Sequence, residues 1–163
     1  LIWAQPDGTI FHYDKRHLFS LSNEHEHYSA GNKKLMVEWN GWKICPLICY
    51  DLRFPAWCRN IEGYDLLLFV ANWPERRNTA WKTLLQARAI ENQSYVAGVN
   101  RIGNDGNNIY HSGDSSAIDP MGEVIFTQAD LPFLKTITLT KERLNFVREK
   151  LPFLNDADNF SIK

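Results

Sequence analysis

The stretch Leu66-Leu67-Leu68-Phe69-Val70-Ala71 is an unbroken apolar run, which is typical of a strand buried on both faces. Residues 78–92 follow it and form the clearest predicted helix in the sequence. Its apolar side chains recur at the i, i+3, i+4 and i+8 positions of one helix face: Trp81, Leu84, Leu85 and Ala89. Residues 94–100 read as the next strand. The order strand, helix, strand indicates a domain of the α/β class.

Upstream of this run, two turn signals predict hairpins. Pro6-Asp7-Gly8 separates two strand-like segments, because proline presets φ and glycine accepts a positive φ. Asn40-Gly41, a strong short hairpin signal, separates residues 35–39 from residues 42–50. Pro46 lies inside the second of these strands, and it predicts an edge or bulged strand because proline has no N–H to donate.

Downstream and between these elements, the remaining patterns predict further short strands and helices. Residues 53–62 read as a short helix entered through a proline. Residues 116–119 and 123–126 are expected to pair across a Pro-Met-Gly turn, and residues 134–139 to form a strand. Residues 141–150 read as a helix. We find neither repeats nor a linker, so residues 1–163 are interpreted as one domain.

Composition excludes several classes of function. The chain has 163 residues, 44% of them hydrophobic, and its 18 basic and 19 acidic residues leave a net charge of -1. This balance argues against nucleic acid and anionic membranes as partners. No apolar stretch reaches the ~20 residues of a membrane-spanning helix. The three cysteines all lie between positions 45 and 58, which is no disulfide framework and favours a reducing, cytoplasmic compartment.

The sharpest chemical feature is Ile48-Cys49-Tyr50-Asp51-Leu52-Arg53-Phe54-Pro55. A predicted strand ends at Cys49, and a turn and a helix are expected to follow. A cysteine facing a helix N-terminus would have its thiolate favoured by the helix dipole, and the next backbone N–H could donate to an oxyanion. The alternative is a buried core cysteine, since free cysteine is among the most buried residue types.

Several motifs occur in a fixed order along almost the whole chain: residues 13–19 (Tyr-Asp-Lys-Arg-His-Leu-Phe), 49–55 (Cys-Tyr-Asp-Leu-Arg-Phe-Pro), 71–74 (Ala-Asn-Trp-Pro), 87–92 (Ala-Arg-Ala-Ile-Glu-Asn) and 99–103 (Val-Asn-Arg-Ile-Gly). Together they resemble the nitrilase (carbon–nitrogen hydrolase) superfamily. Within it the sequence is most similar to the bacterial omega-amidase branch. That branch also has the Glu-His-x-His-Tyr loop, which stands here at residues 24–28.

The resemblance implies an α/β fold of the four-layer αββα sandwich type and an amidase that uses a Glu–Lys–Cys triad. By motif, Cys49 is the nucleophile and Lys15 is the triad lysine. Glu24 corresponds to an additional active-site glutamate, and the Tyr50 backbone N–H joins Lys15 in an oxyanion hole. The triad glutamate is expected upstream of Leu1, so the chain resembles the C-terminal two-thirds of such an enzyme. Neither a metal nor an organic cofactor is implied.

The substrate implied by the resemblance is a small terminal amide, most specifically that of a 2-oxo acid such as 2-oxoglutaramate or 2-oxosuccinamate. Asn72 and Trp73 follow a buried strand and are expected to line the site, because ligands of α/β sheets bind beyond strand carboxyl ends. Arg76 or Arg77 could bind a substrate carboxylate in a fork. Tyr28 is expected to contact the substrate from the 24–28 loop.

Three alternatives stay open. The first is an enzyme that acts on another small amide or on an N-carbamoyl compound. The chain as given could be a non-catalytic fragment or pseudoenzyme that lacks the glutamate base. A metal or redox module could be built from His25, His27 and the cysteines, although no His-Glu-x-x-His motif supports it.

The resemblance also implies a homodimer or a higher homo-oligomer. Nitrilase-like proteins associate through the helix that follows the nucleophile and through their C-terminal tails. The residues expected at such an interface are apolar: Phe54, Trp57, Phe153, Leu154 and Phe160.

Overall fold

The structure is a computed structural model, and it describes residues 1–162. Its strands are β1 (Ile2–Ala4), β2 (Ile10–His12), β3 (Val37–Trp39), β4 (Trp42–Ile48), β5 (Leu66–Ala71), β6 (Tyr95–Asn100), β7 (Ile102–Asn104), β8 (Tyr110–Ser112), β9 (Ser115–Ile118) and β10 (Val124–Gln128). Its α-helices are α1 (Glu24–His27), α2 (Pro55–Cys58), α3 (Asn78–Asn92) and α4 (Lys141–Lys150). Short 3-10 helices cover Ser20–Ser22, Cys49–Arg53, Glu75–Arg77 and Phe153–Asp156.

A six-stranded mixed sheet with the order β10-β9-β6-β5-β4-β3 forms the centre of the fold. Its middle strands β4, β5 and β6 are parallel, and the outer pairs are antiparallel. Helix α3 makes the crossover from β5 to β6, as parallel neighbours require. The predicted α/β class is therefore confirmed. Two further hairpins, β1-β2 and β7-β8, form separate two-stranded sheets.

The main core lies between α3 and the sheet. Trp81, Leu85 and Ala89 are fully buried, which confirms the helix face predicted from their spacing. Gly98 of β6 permits the close approach of α3, because a Cβ there would lie 2.7 Å from Leu85 Cδ1 and 2.8 Å from Trp81 Cζ2. Full burial of a side chain such as that of Leu85 contributes about 1.5–3 kcal/mol. This packing fixes α3 across the parallel strands.

Pro46 is accommodated because β4 has two different neighbours along its length. The antiparallel strand β3 pairs only with residues 42–44 of β4, whereas β5 runs beside it as far as Ile48. At Pro46, β4 therefore has a described strand on the β5 side alone. The prediction of an edge strand is wrong for β4 as a whole, although the strand has only one neighbour at the proline itself.

Two predicted elements differ from the structure. The helix expected over residues 53–62 is a single turn, α2, because Asn60 bends the chain by hydrogen bonding to the backbone N–H and C=O of Tyr64. Residues 134–139 form no strand: the segment has no described strand partner, and Leu134 is 99% exposed. Helix α4 has its predicted bounds, with Thr140 Oγ1 accepting a hydrogen bond from the Arg143 N–H at 3.3 Å.

Of the residues expected at an oligomer interface, Trp57 is buried inside the chain itself, and its indole packs beneath Arg16 and Lys34. It is therefore unavailable to a second subunit, and that part of the expectation is wrong. Phe153 and Phe160 are exposed. None of the helices within residues 1–162 combines the length and apolarity needed to cross a membrane.

Candidate active site

A cavity of about 730 Å³ opens at the carboxyl ends of β4, β5 and β6. Most of the residues predicted for the site line it: Lys15, Glu24, Cys49, Tyr50, Asn72, Trp73, Arg76 and Arg77. Tyr28 is not among the lining residues, and its side chain is 69% exposed. The structure thus brings together every predicted site residue except Tyr28.

Cys49 stands at the point where β4 changes into a 3-10 helix. Its φ of 45° lies in the left-handed region, which non-glycine residues rarely adopt. Such strained conformations cluster at functional sites, because the surrounding structure must hold them. The turn presents the thiol to the cavity next to the backbone N–H of Asn72, which lowers the pKa of that thiol.

The net pKa of the Cys49 thiol is nevertheless raised. Burial is the largest cause, and the negative charges of Glu24 and Asp51 add to it. The Asn72 N–H and the Lys15 ammonium act in the opposite direction without overcoming burial. The expectation of a favoured thiolate is therefore wrong for the resting protein. The thiol is neutral near pH 7, so attack by Cys49 requires a base that removes its proton.

Lys15 and Glu24 form a close ion pair beside the thiol. The Lys15 Nζ lies 2.6 Å from Glu24 Oε2, and the two side chains are 12% and 29% exposed. The same oxygen accepts the backbone N–H of Phe19 at 2.8 Å. Glu24 is the first residue of α1, so it closes the loop that runs from Lys15. The pair holds the ammonium in one place at the cavity wall.

Trp73 is held rigidly in another wall. Its backbone N–H donates to Asn100 Oδ1 at 2.7 Å, and Asn100 Nδ2 donates back to the Trp73 carbonyl at 2.9 Å. The indole Nε1 donates to the Arg77 carbonyl at 2.8 Å. Asn100 was not predicted as a site residue, because its role depends on a contact 27 residues away in the chain.

Three arginines give the cavity an uncompensated positive side. Arg53 lies over the Trp73 ring at 4.9 Å, and Arg77 lies over the Phe19 ring at 5.3 Å. Within residues 1–162, neither these two nor Arg76 forms a salt bridge. Burial lowers the pKa of Arg77, and the charges of Arg76 and Arg53 lower it further. Arg53 was not predicted as a site residue, although it stands in the quoted cysteine motif.

The β7-β8 hairpin supplies a further wall, of which the quoted motifs cover only the first residues. Arg101, Asp105 and His111 from this region line the cavity. His111 is 2% exposed, with its Nδ1 2.9 Å from the Ile109 carbonyl. The motif at residues 99–103 includes Arg101, but no quoted motif covers Asp105 or His111, whose positions depend on the sheet that the hairpin follows.

The histidines at positions 25 and 27 lie on the single turn α1, and both are exposed. Among the described residues, no group of three or more His, Cys, Asp or Glu side chains is arranged to hold a metal ion. The site instead combines a half-buried thiol, an ion-paired ammonium and guanidinium groups that have no salt-bridge partner within residues 1–162. This arrangement can attack an electrophilic carbon, stabilise an oxyanion and bind an anionic substrate.

Comparison with known proteins gives the same family throughout. The model of the carbon-nitrogen hydrolase family matches residues 1–142. Omega-amidase YafV of Escherichia coli K12 is 54% identical over 161 residues, which is 98% of this chain and 62% of that protein. The 2-oxoglutaramate amidase of Bacillus subtilis is 39% identical over 156 residues, covering 94% of this chain and 60% of that protein.

Among solved structures, a CN-hydrolase superfamily protein from Xanthomonas campestris superposes with a TM-score of 0.97. It is 48% identical, and the match covers 99% of this chain and 64% of that structure. The chain therefore spans less than two-thirds of the length of these relatives.

Proposed function

Because the chain belongs to the carbon-nitrogen hydrolase family, we propose that it carries the nucleophile and the substrate-binding side of an omega-amidase. Its substrate is the terminal amide of a small 2-oxo acid such as 2-oxoglutaramate or 2-oxosuccinamate, and its products are ammonia and the free acid. The proposal is supported by the relatives named omega-amidase and 2-oxoglutaramate amidase. It is carried by one observation, namely that a half-buried thiol, an ion-paired lysine and arginines with no salt-bridge partner among residues 1–162 share one cavity.

In the proposed mechanism, Cys49 attacks the amide carbon after a base takes its proton. Lys15 and the Tyr50 backbone N–H stabilise the tetrahedral oxyanion. The base protonates the leaving nitrogen, so ammonia departs and a thioester remains on Cys49. Water, activated by the same base, then releases the acid. The raised pKa of the thiol makes the base indispensable.

The proposed base is the glutamate that the family resemblance places before Leu1. Glu24 is a poor candidate for that role, because its Oε2 already accepts hydrogen bonds from Lys15 and from the Phe19 N–H. We assign Glu24 instead to holding the Lys15 ammonium. Neither a metal nor an organic cofactor takes part in the proposed steps.

The arginines would give the enzyme its preference for acidic amides. A guanidinium matches a carboxylate in a two-pronged hydrogen-bonded pair, so Arg76 or Arg77 would bind the carboxylate end of the substrate. Asn72 and Trp73 would orient its middle. We also propose that the enzyme works in the cytoplasm, where its three free cysteines stay reduced, and that it forms a homodimer.

The test is ammonia release from 2-oxoglutaramate by the full natural chain, with quantification of the 2-oxo diacid. Cys49→Ala is expected to lower the rate by at least about 10³-fold, since no other group forms the thioester. Cys45→Ala, which removes a buried thiol outside the cavity, should keep the activity. Turnover of N-carbamoyl compounds but not of 2-oxo amides would contradict the proposed substrate and assign the enzyme to another branch of the family. Unchanged activity in Cys49→Ala would refute the mechanism.

A further inference from the structure

Asp51 is a fully buried carboxylate that the proposed mechanism does not use. It stands two residues after Cys49 and does not line the cavity. A buried charge is costly unless it is fully hydrogen bonded, so its partners show what the fold gains from it.

The Asp51 carboxylate accepts four hydrogen bonds, two on each oxygen. Oδ2 accepts from the Tyr13 hydroxyl at 2.8 Å and from the Ile48 N–H at 3.1 Å. Oδ1 accepts from the His17 N–H at 3.0 Å and lies 2.9 Å from His17 Nδ1. One of these donors, Ile48, precedes the nucleophile, and the other three belong to two residues of a distant segment.

Those two residues flank Lys15 at equal distance in the sequence, since Tyr13 precedes it by two positions and His17 follows it by two. Asp51 in turn follows Cys49 by two positions. A single carboxylate thus ties both ends of the lysine segment to the turn that carries the thiol. The Gly31 N–H, which donates to the Lys15 carbonyl at 2.9 Å, holds the middle of the segment from the other side.

Further contacts hold both of the residues that bind Asp51, Tyr13 and His17. The Tyr13 hydroxyl accepts hydrogen bonds from Trp57 Nε1 at 3.0 Å and from the Arg16 N–H at 3.2 Å. Burial and the neighbouring Asp51 charge raise the pKa of Tyr13, so its hydroxyl keeps the proton that it donates. The His17 ring stacks on Phe54 with centroids 3.6 Å apart and an interplanar angle of 4°.

We propose that Asp51 is the positioning residue of this site: through Tyr13 and His17 it fixes Lys15 at the distance from Cys49 that the reaction needs. The inference rests on the proposed function only for its turnover measurement. A lysine side chain is long and flexible, and a displacement of about 1 Å in a reacting group can cost ~10²-fold in rate. Anchoring its backbone on both sides to the nucleophile turn fixes where the side chain begins, and Glu24 fixes where its ammonium lies.

Tyr13→Phe is the primary test, because it cuts one tie and leaves every charge near the thiol in place. Every charged group that acts on Cys49 or lines its cavity is retained in this variant: Lys15, Glu24, Asp51, Arg53, Arg76, Arg77, Arg101 and Asp105. The readout is the pH dependence of Cys49 alkylation by iodoacetamide, which needs no substrate. A displaced Lys15 lowers the thiol pKa less, so the midpoint of alkylation in Tyr13→Phe should move to higher pH.

Lys15→Gln supplies the coupling control. It should itself move the midpoint upward, and adding Tyr13→Phe in that background should move it no further. An unchanged midpoint in folded Tyr13→Phe, or an equal shift in both backgrounds, would overturn the proposal. Should Tyr13→Phe fail to fold, His17→Ala takes its place, since it keeps the His17 backbone N–H and the Asp51 charge.

Asp65→Asn is the matched control for a purely structural role. Asp65 is also a buried aspartate: it accepts the Lys43 N–H at 2.8 Å and pairs with Lys141 and Arg148 of α4, away from the cavity. Its variant should lose thermal stability and keep the wild-type alkylation profile. A shifted profile in Asp65→Asn would mean that the assay reports general loosening of the fold.

Turnover provides the second arm. Tyr13→Phe should lower kcat for 2-oxoglutaramate about 10-fold and Asp51→Asn about 10²-fold, with KM changed less than about twofold, because a misplaced oxyanion donor affects the transition state. A rise in KM at constant kcat would contradict the assignment. If the unmodified enzyme releases no ammonia, the proposed function fails, and the alkylation experiment still decides the role of Asp51.

Discussion

The two charged sides of the cavity are built in opposite ways. Beside the thiol, the positive charge of Lys15 is matched by Glu24 at 2.6 Å. Near Trp73, the positive charges of Arg53, Arg76 and Arg77 have no salt-bridge partner within the described part of the chain. The charge of Lys15 is therefore balanced by a partner within the described chain, whereas the charges of the three arginines are not.

This difference in pairing corresponds to two roles. The lysine side positions a catalytic group, and the arginine side recognises the substrate. A paired ammonium keeps one position, which suits a group that must meet a charge developing on a carbonyl oxygen. Unpaired guanidinium groups repel one another, and this is part of why the pKa of Arg77 is lowered. A substrate carboxylate would relieve that repulsion when it binds. We therefore expect changes on the lysine side to alter kcat and changes on the arginine side to alter KM.

In the comparison of the two sides, the largest effect is expected from Glu24→Gln, which removes the charge that holds Lys15. The kcat for 2-oxoglutaramate should fall about 10²-fold, as it does when a single oxyanion donor is lost. Glu26→Gln is the matched control, because Glu26 lies on the same turn of helix and is exposed. Initial rates over a range of substrate concentrations check the result. Equal losses in the two variants, or a loss confined to KM, would break the distinction between the two sides.

Removal of the arginines should have the next largest effect. In Arg76→Ala/Arg77→Ala, KM for 2-oxoglutaramate should rise roughly 10- to 100-fold, since a charged hydrogen bond is worth about 1.5–3 kcal/mol. KM for an uncharged amide of similar length should stay constant. Arg143→Ala, which removes an arginine paired with Asp119, is the control for loss of a positive charge elsewhere. If neutral amides suffered as much as acidic ones, the arginines would not bind the carboxylate.

The elements predicted best are those whose evidence is local and periodic. The bounds of β5, α3 and α4 agree with the predicted residues 66–71, 78–92 and 141–150. The prediction of a strand at residues 134–139 was wrong because a strand requires a neighbouring strand. The sequence of a segment alone does not indicate whether such a neighbour is present. The short α2 was overestimated for a similar reason, since contacts of Asn60 with a later segment end it.

Prediction of the site from the sequence was limited in the same way, by contacts between distant parts of the chain. Motifs led to Cys49, Lys15 and Glu24, and the structure places all three at one cavity. The direction of the Cys49 pKa was wrong because desolvation depends on the whole fold. Asp51 stands inside the quoted cysteine motif, and its importance was missed because its partners lie 34 and 38 residues away in the sequence.

The smallest expected effect is the response to salt, and it separates the two sides without any mutation. Raising the ionic strength from about 0.05 M to about 0.5 M shortens the Debye length, so KM for 2-oxoglutaramate should increase roughly two- to threefold. The kcat should stay constant, because the Lys15–Glu24 pair is in contact and mostly buried. In the double variant Arg76→Ala/Arg77→Ala the dependence of KM on salt should weaken, with Arg53 and Arg101 still lining the cavity. A salt-sensitive kcat would mean that the lysine side is as open to screening as the arginine side.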